Sequence, residues 1–310
     1  MTPYVWRNLN LTKKSLVFFT LLLILSLFFS SAPADLPIVY RKQTGNAPFE
    51  KVDFVDESPF PEDAELLRID ILGIRQGDCI LITCGGERML VDGGETIRFD
   101  FVNRYFEDHG IDSLDYMFLT HAHDDHLQLQ QRLIRRGFPV GAFYSPYDEK
   151  DTWQLWKPLL ADLRAKEIPY YKVVTGDVLH VGKAELTVYR NTASGLSMND
   201  QSAALMVRYG GASVFLTADI AGETQHWLCD NYGDELDADI LKSPHHGITT
   251  NLKAFLEKVS PSLVVITNAS ENVQKYTEQL DRLNIPRYYI MHTVHLETDG
   301  AMWYAWTDRE

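Results

Sequence analysis

Residues 120–126 read Thr120-His121-Ala122-His123-Asp124-Asp125-His126. They follow directly on an apolar run, 116–119, that predicts a short buried strand. They precede a helical pattern over 127–136 whose basic residues gather at its C-terminal end, where the helix dipole favours them. Three histidines and a carboxylate at H-x-H-x-D-H spacing can turn their side chains into one small volume at a strand end. Imidazole with carboxylate suits Zn²⁺, and two such sets suit a pair of metals. The plain alternative is a charged, solvated loop, and three of the chain's ten histidines falling within six residues weigh against it.

The same grammar recurs further along. Val214-Phe215-Leu216-Thr217-Ala218-Asp219 is an apolar run ending on a carboxylate, as a bridging ligand needs, although a carboxylate there also suits capping of the next helix. Lys242-Ser243-Pro244-His245-His246-Gly247 sets two histidines just after another short apolar run, where a surface pair is an equal alternative. Asp92, in Leu90-Val91-Asp92-Gly93-Gly94, is a further strand-end carboxylate beside flexible glycines.

Between these points strand-like and helix-like segments alternate. Strands are expected over 66–71, 79–83, 88–91, 116–119, 142–144, 171–174, 185–189, 203–208, 213–216, 239–242, 263–266, 288–291 and 301–305. Helices are expected over 99–108, 127–136, 149–166, 222–231, 252–258 and 273–283; in the longest, Trp153, Trp156, Leu159, Leu160 and Leu163 share a face. Residues 179–182 read as a turn, and no internal repeat is visible. The pattern implies stacked α/β layers around one site.

Six blocks occur in a telling order: Gly73-Ile74-Arg75-Gln76-Gly77-Asp78, Val91-Asp92-Gly93-Gly94, the histidine block, Asn199-Asp200-Gln201-Ser202 before a strand, Thr217-Ala218-Asp219, and Pro244-His245-His246-Gly247. From about residue 66 to 306 the sequence thereby resembles the metallo-β-lactamase superfamily, whose members share H-x-H-x-D-H. The other blocks resemble V-G-Q-G-D, V-D-G-G, N-D-x-S, T-G-D and P-H-H-G of its ComEC/Rec2 competence-type hydrolase domains. The resemblance implies an α/β fold, the four-layered αβ/βα metallo-β-lactamase sandwich, with a metal pair in its cleft.

Carried over residue by residue, it implies that His121 and His123 hold the first metal, that Asp125, His126 and His245 hold the second, and that Asp219 bridges them. His245 is taken over His246 because related members place the ligand two residues before the glycine. Asp92 and Asp200 would stand behind the ligands, Asp92 fixing the histidine loop. That leaves His246 to protonate the leaving group or orient a ligand, and Asn199 to donate a hydrogen bond to a phosphoryl oxygen. Superfamily members commonly bring a third histidine to the first metal from the stretch before Asp219. Here that stretch offers only His180, far ahead, and Asn199 and Asp200 occupy the place. The first site is therefore oxygen-richer, admitting Mn²⁺ beside the expected Zn²⁺. Leu127-Gln128 also stands where the family often has glycines, which bears on loop shape.

Two divalent ions about 3.5–4 Å apart lower the pKa of a bridging water and clamp the attacking and leaving oxygens. The competence-type resemblance implies a binuclear hydrolase of phosphodiesters, with nucleic acid or a cell-surface polymer as substrate. Hydrolysis of a β-lactam or lactone, or a metal-poor binding module of the same fold, are the alternatives.

Composition sets the outer bounds. With 45% hydrophobic and 12% aromatic residues the chain is neither disordered nor collagen-like. Lys plus Arg number 29 against 43 Asp plus Glu, a net charge of −14. The first 34 residues hold three basic residues and no acidic one; without them the balance is 26 against 43, or −17. So acidic a body is a poor static binder of phosphate backbones, and no stable nucleic-acid complex is expected. Lys242, Arg132, Arg135 and Arg136 are candidates for a basic rim, though an ordinary solvated face explains them better.

At the N-terminus, Lys13-Lys14, the apolar run 16–29 and Ser30-Ser31-Ala32-Pro33-Ala34 form a signal-peptide pattern with an A-x-A site. Export with a mature start at Asp35 is expected; an uncleaved anchor, the chain's one expected tie to a membrane, is the alternative. Residues 35–63, with four prolines, read as a linker or irregular extension, and 64–310 as the hydrolase domain. Cys79 and Cys84, roughly 17 Å apart in one extended strand, cannot pair, and all three cysteines are read as core thiols.

Overall fold

The computed structural model describes residues 51–269 and 271–308, so the signal-peptide reading and residues 35–50 lie outside the described residues. The described chain opens with β1 (Val52–Phe54), β2 (Leu67–Ile71), β3 (Ile80–Cys84) and β4 (Glu87–Val91), the last three antiparallel. Gly85 and Gly86, both at positive φ, make the two-residue turn between β3 and β4. The connections then lengthen. The helices α1 (Phe99–Asp108), α2 (Asp124–Arg136) and α3 (Trp156–Ala165) alternate with β5 (Leu114–Phe118), β6 (Val140–Ser145) and β7 (Tyr170–Lys172), so that β4 to β7 run parallel.

A second half repeats this order. The strands β8 (Val178–Val181), β9 (Ala184–Tyr189), β10 (Ala204–Tyr209) and β11 (Ala212–Leu216) form an antiparallel meander. After it, α4 (Gly222–Tyr232), β12 (Ile240–Lys242), α5 (Lys253–Val259), β13 (Leu263–Ile266), α6 (Gln274–Arg282) and β14 (Arg287–Tyr289) continue from β11 with parallel pairing. The chain returns as β15 (Val294–Thr298) and β16 (Trp303–Thr307) to complete the first sheet, ordered β1-β16-β15-β2-β3-β4-β5-β6-β7; the second is ordered β14-β13-β12-β11-β10-β9-β8.

Period-two alternation builds the layers. In β10, β11 and β13, Leu205, Val207, Val214, Leu216, Leu263 and Val265 join the core shared with the first sheet. Their neighbours Met206, Phe215, Val264 and Ile266 pack with Leu228, Phe255 and Tyr276 of the covering helices. On the other side Val102, Leu129, Leu133, Leu159 and Leu163 of α1 to α3 pack with the nine-stranded sheet. The expected sandwich of two sheets between helices is the fold.

Several local expectations are corrected. Residues 52–54 are not irregular: free of proline, they form an edge strand parallel to β16, with Val52 buried and Lys51 paired to Asp239 at 2.7 Å. The helix expected from 149 begins at Trp156, because the Asp148 and Asp151 carboxylates capture the amides of Lys150 and Asp148 in a tight turn. Residues 178–181 are a strand, with His180 exposed on it, away from any candidate site. Strand β15 has no expected counterpart. It is wholly buried although it carries His295 and Glu297, since Asp70 and Arg68 on the neighbouring β2 receive them. Cys79 and Cys84 are free and buried; Cys229 is free and half-buried.

Candidate metal centre

Open parallel sheets present ligands at the carboxyl ends of their strands, and the candidate residues stand there. Asp92 follows β4, the histidine block follows β5, Asp219 follows β11, and His245 and His246 follow β12. Four of these loop residues, Asp92, Ala218, His245 and His246, have φ between 48° and 54°. Left-handed backbone is unusual outside glycine and gathers where surrounding structure holds a functional geometry.

The side chains meet in two sets. His121 Nε2 is 3.0 Å from His123 Nδ1 and 3.7 Å from Asp219 Oδ2. His126 Nε2 and His246 Nε2 are 3.2 Å apart and reach Asp219 Oδ1 at 3.4 and 3.2 Å. Asp125 closes the second set, 3.5 Å from His246 and 3.9 Å from His126. Asp219 thus turns one oxygen to each set. Ligand atoms held 2.0–2.1 Å from one tetrahedral ion stand about 3.3–3.4 Å from one another, a value bracketed by the spacings of 3.0–3.9 Å within the two sets. Asp219 Oδ1 is buried between two ring nitrogens with no hydrogen bond of good geometry and with Lys242 Nζ 3.9 Å away, a position that a coordinated metal ion would satisfy more fully. The donor set fits metal ions.

Supporting groups aim the rings. Thr120 Oγ1 donates to Asp92 Oδ2 at 2.7 Å, so its oxygen accepts from His121 Nδ1 at 3.1 Å. His126 Nδ1 donates to the same Asp92 oxygen at 2.7 Å, and His246 Nδ1 to Thr267 Oγ1 at 2.9 Å. With each Nδ1 engaged, three Nε2 atoms point inward as ligands require. Asp92 thus accepts from both Thr120 and His126 at the base of the loop.

The electrostatics of the group favour added positive charge. Burial holds His121 well below the usual histidine range. In His126 burial is outweighed by the Asp219 and Asp92 carboxylates, which lift it well above that range; in His246 it is outweighed chiefly by Asp219, with Asp78 adding, to about 10. Asp219 lies well below the carboxylate range and Asp125 at about 2, since the neighbouring histidines overcome burial.

The placement of the paired histidines reverses the expectation. His246, not His245, stands against Asp125 and His126. Two successive left-handed residues turn His246 inward beneath Thr267 and leave His245 26% exposed at the rim, its Nε2 3.9 Å from Asp219 Oδ2 and 3.3 Å from Asn199 Nδ2. Asp200 does not face the histidines. Its carboxylate accepts from the amides of Ala221 and Thr224 and so caps α4 directly after Asp219, the role the sequence offered to Asp219 itself.

No basic rim forms from the four named residues. Lys242 is wholly buried, its ammonium 2.5 Å from Asp78 and donating to Ala218 O at 2.9 Å. Arg132 and Arg136 lie over the Phe99 ring, and Arg135 pairs with Asp162. Asp78 is the residue that sequence reasoning missed. Buried beside His126, Asp219 and His246, it ends the Gly73–Asp78 block already singled out, where its charge was the available signal.

ComE operon protein 3 of Bacillus subtilis (strain 168) is 24% identical over 267 residues, covering 78% of this chain and 33% of that protein. Competence protein ComA of Neisseria gonorrhoeae is 33% identical over 105 residues, covering 34% of this chain and 15% of that one. The chain thus spans a third or less of the length of these relatives, and they bear out the competence-type resemblance. Among solved structures, a mutant CmlA β-hydroxylase superposes with a TM-score of 0.51 at 15% identity, covering 78% of this chain and 55% of that one, a likeness of fold. The profile of the Metallo-beta-lactamase superfamily matches residues 72–266, well over half of the sequence, and the chain belongs to that superfamily.

Proposed function

We propose that this protein is an exported binuclear metal-dependent hydrolase that cleaves phosphodiester bonds. The observation that carries the reading is Asp219, buried between two histidine sets with one carboxylate oxygen turned to each. His121 and His123 would hold one ion, Asp125, His126 and His246 the other, and Asp219 both. Each set brings two histidines, which suits Zn²⁺, and the first, with no carboxylate of its own beyond Asp219, leaves positions for water or substrate oxygen and so admits Mn²⁺ as well. When bound, the ions supply a water nucleophile at neutral pH and Lewis acidity toward phosphoryl oxygens.

The chain's own residues complete the chemistry. His245, half-buried at the rim with Asn199 orienting its ring, sits where it can protonate a leaving oxygen; because burial holds its pKa below the usual value, it would do so best on the acid side of neutrality. Asp92 and Thr120 keep the histidine loop in register. Support for phosphodiesters over β-lactams comes from the competence-protein relatives, and support for export from residues 13–34. After loading with Zn²⁺ or Mn²⁺, bis-p-nitrophenyl phosphate should be hydrolysed and nitrocefin should not. Asp219→Ala should lose metal from both sets. Nitrocefin turnover without diester turnover would reverse the substrate assignment, and full metal content in Asp219→Ala would remove the bridge.

A further inference from the structure

Next to the metal centre lies a cleft of about 380 Å³ lined by Arg75, Gln76, Glu95, Ile97, Arg98 and Asn268, among others. Its walls continue the loops that build the centre. Gly77 packs so closely on Asp125 that a Cβ there would stand 2.4 Å from the Asp125 carbonyl oxygen. Thr267, which receives His246, immediately precedes Asn268, and Asp92, which receives His126, lies three residues before Glu95. Gln76 bridges to Asn268, and Ala269 N donates to Arg75 O at 2.8 Å, pinning the loop.

Arg75 holds a left-handed backbone, with φ 74°. In the block resembling V-G-Q-G-D it stands at the first glycine, the residue that accepts this conformation freely; a side chain there costs about 1 kcal/mol or more. Its side chain contributes nothing to the core, being exposed. Among the described residues, neither Arg75 nor Arg98 has a carboxylate within ion-pair distance, which is also true of Arg88, Arg104 and Arg282; what sets these two apart is that they line one cleft. Among the described lining residues, two guanidiniums face one carboxylate, Glu95, a positive excess on an acidic body. Guanidinium is the side-chain group best matched to phosphate. Beside them Ile97 is 77% exposed and offers an apolar face.

We propose that the Arg75–Arg98 cleft binds the phosphate adjacent to the one cleaved, so that the substrate is a strand of successive phosphodiesters; this rests on the phosphodiesterase reading. The Ile97 face can lie against a nucleobase, which favours a single-stranded nucleic acid over a polymer of bare phosphates. The test compares the metal-loaded wild type with the Arg75→Gln/Arg98→Gln double variant, whose metal content should be unchanged. Two measurements are made: kcat/KM on bis-p-nitrophenyl phosphate, which has a single phosphate, and binding of a fluorescein-labelled phosphorothioate hexathymidylate by anisotropy. The expected result is at least tenfold weaker oligonucleotide binding with diester kcat/KM within twofold of wild type. A wild type that binds the oligonucleotide through these arginines but hydrolyses no diester would leave the subsite standing and remove the catalytic reading. The proposal is overturned by unchanged oligonucleotide binding in the variant, by a wild type that does not bind it, by equal loss on bis-p-nitrophenyl phosphate, or by equally tight binding of linear polyphosphate of matched charge.

Discussion

Replacing Lys242 by methionine isolates the charge that the fold hides beneath the metal centre. Lys242 and Asp78 are both buried, 2.5 Å apart. The ammonium is the principal group holding the Asp78 carboxyl below its usual range against the pull of burial. Methionine keeps the aliphatic stem but leaves the buried Asp78 carboxylate with His246 Nδ1, 3.4 Å away, as its nearest charged neighbour, and breaking a buried pair in this way typically destabilises by about 3–5 kcal/mol. For a domain of this size, about 2–4 °C per kcal/mol translates that into a fall in Tm of roughly 6–20 °C. The Ala218 carbonyl also loses its donor, next to the strained peptide that aims Asp219. The assay is a double-mutant cycle by thermal and urea unfolding on wild type, Lys242→Met, Asp78→Leu and Lys242→Met/Asp78→Leu, the last removing both charges. The double variant should recover most of the loss, with a coupling of at least about 2 kcal/mol. A Lys242→Met protein as stable as wild type, or a double variant no better than the single, would refute the reasoning.

Three further outcomes are expected. Elemental analysis should find His246→Ala depleted of metal and His245→Ala close to wild type but slowed by about 10²–10⁴-fold, with partial rescue by a diester bearing a very good leaving group; the opposite pattern returns the ligand role to His245. Because the carboxylates around His126 and His246 hold protons there in the metal-free protein, metal binding at pH 7 should release about one to two protons per chain, read as a binding enthalpy that scales with buffer ionisation enthalpy; a buffer-independent enthalpy contradicts this. His295 is raised to about 9, since Asp308 and Asp70 outweigh its burial. Its contribution, at most about 3 kcal/mol, should be fully present below about pH 6.5 and lost as pH rises through 9, a decline that urea titrations should show and His295→Gln should flatten.

The histidine block was legible because its chemistry is local. One strand end delivers four ligand-type side chains within six residues, and no distant partner is needed to see it. Asp219 and Asp92 were legible for the same reason, each closing an apolar run. The choice between His245 and His246 was not, since it turns on two consecutive left-handed residues that rotate one ring inward and the next outward, and no side-chain property of two identical residues encodes that. Lys242 was misplaced by polarity, which puts lysine in water. Asp78, more than 160 residues away in sequence, and the Ala218 carbonyl make its burial possible. Strand β15 escaped for a related reason, as His295 and Glu297 read as solvent-facing until Asp70, Asp308 and Arg68 are brought to them.

The division of ligands between the two halves has an energetic consequence. The first parallel run supplies His121, His123, Asp125 and His126; the second supplies Asp219 and His246. Neither half holds a complete set, and Asp219 reaches both sets across the cleft between the carboxyl ends of two sheets. An ion bound there ties the second half to the first at a point where each otherwise presents buried carboxylates and strained loops. Binding free energy at such a site adds to folding free energy, by about 2.7 kcal/mol at a hundredfold excess of metal over Kd. The residues that pre-align the rings, Asp92 and Thr120 on one side and Thr267 and Lys242 on the other, are fixed by protein contacts alone. On the proposed reading, the fold bears the strain of the site in the metal-free chain, and the free energy of ion binding would offset it by tying the two halves together.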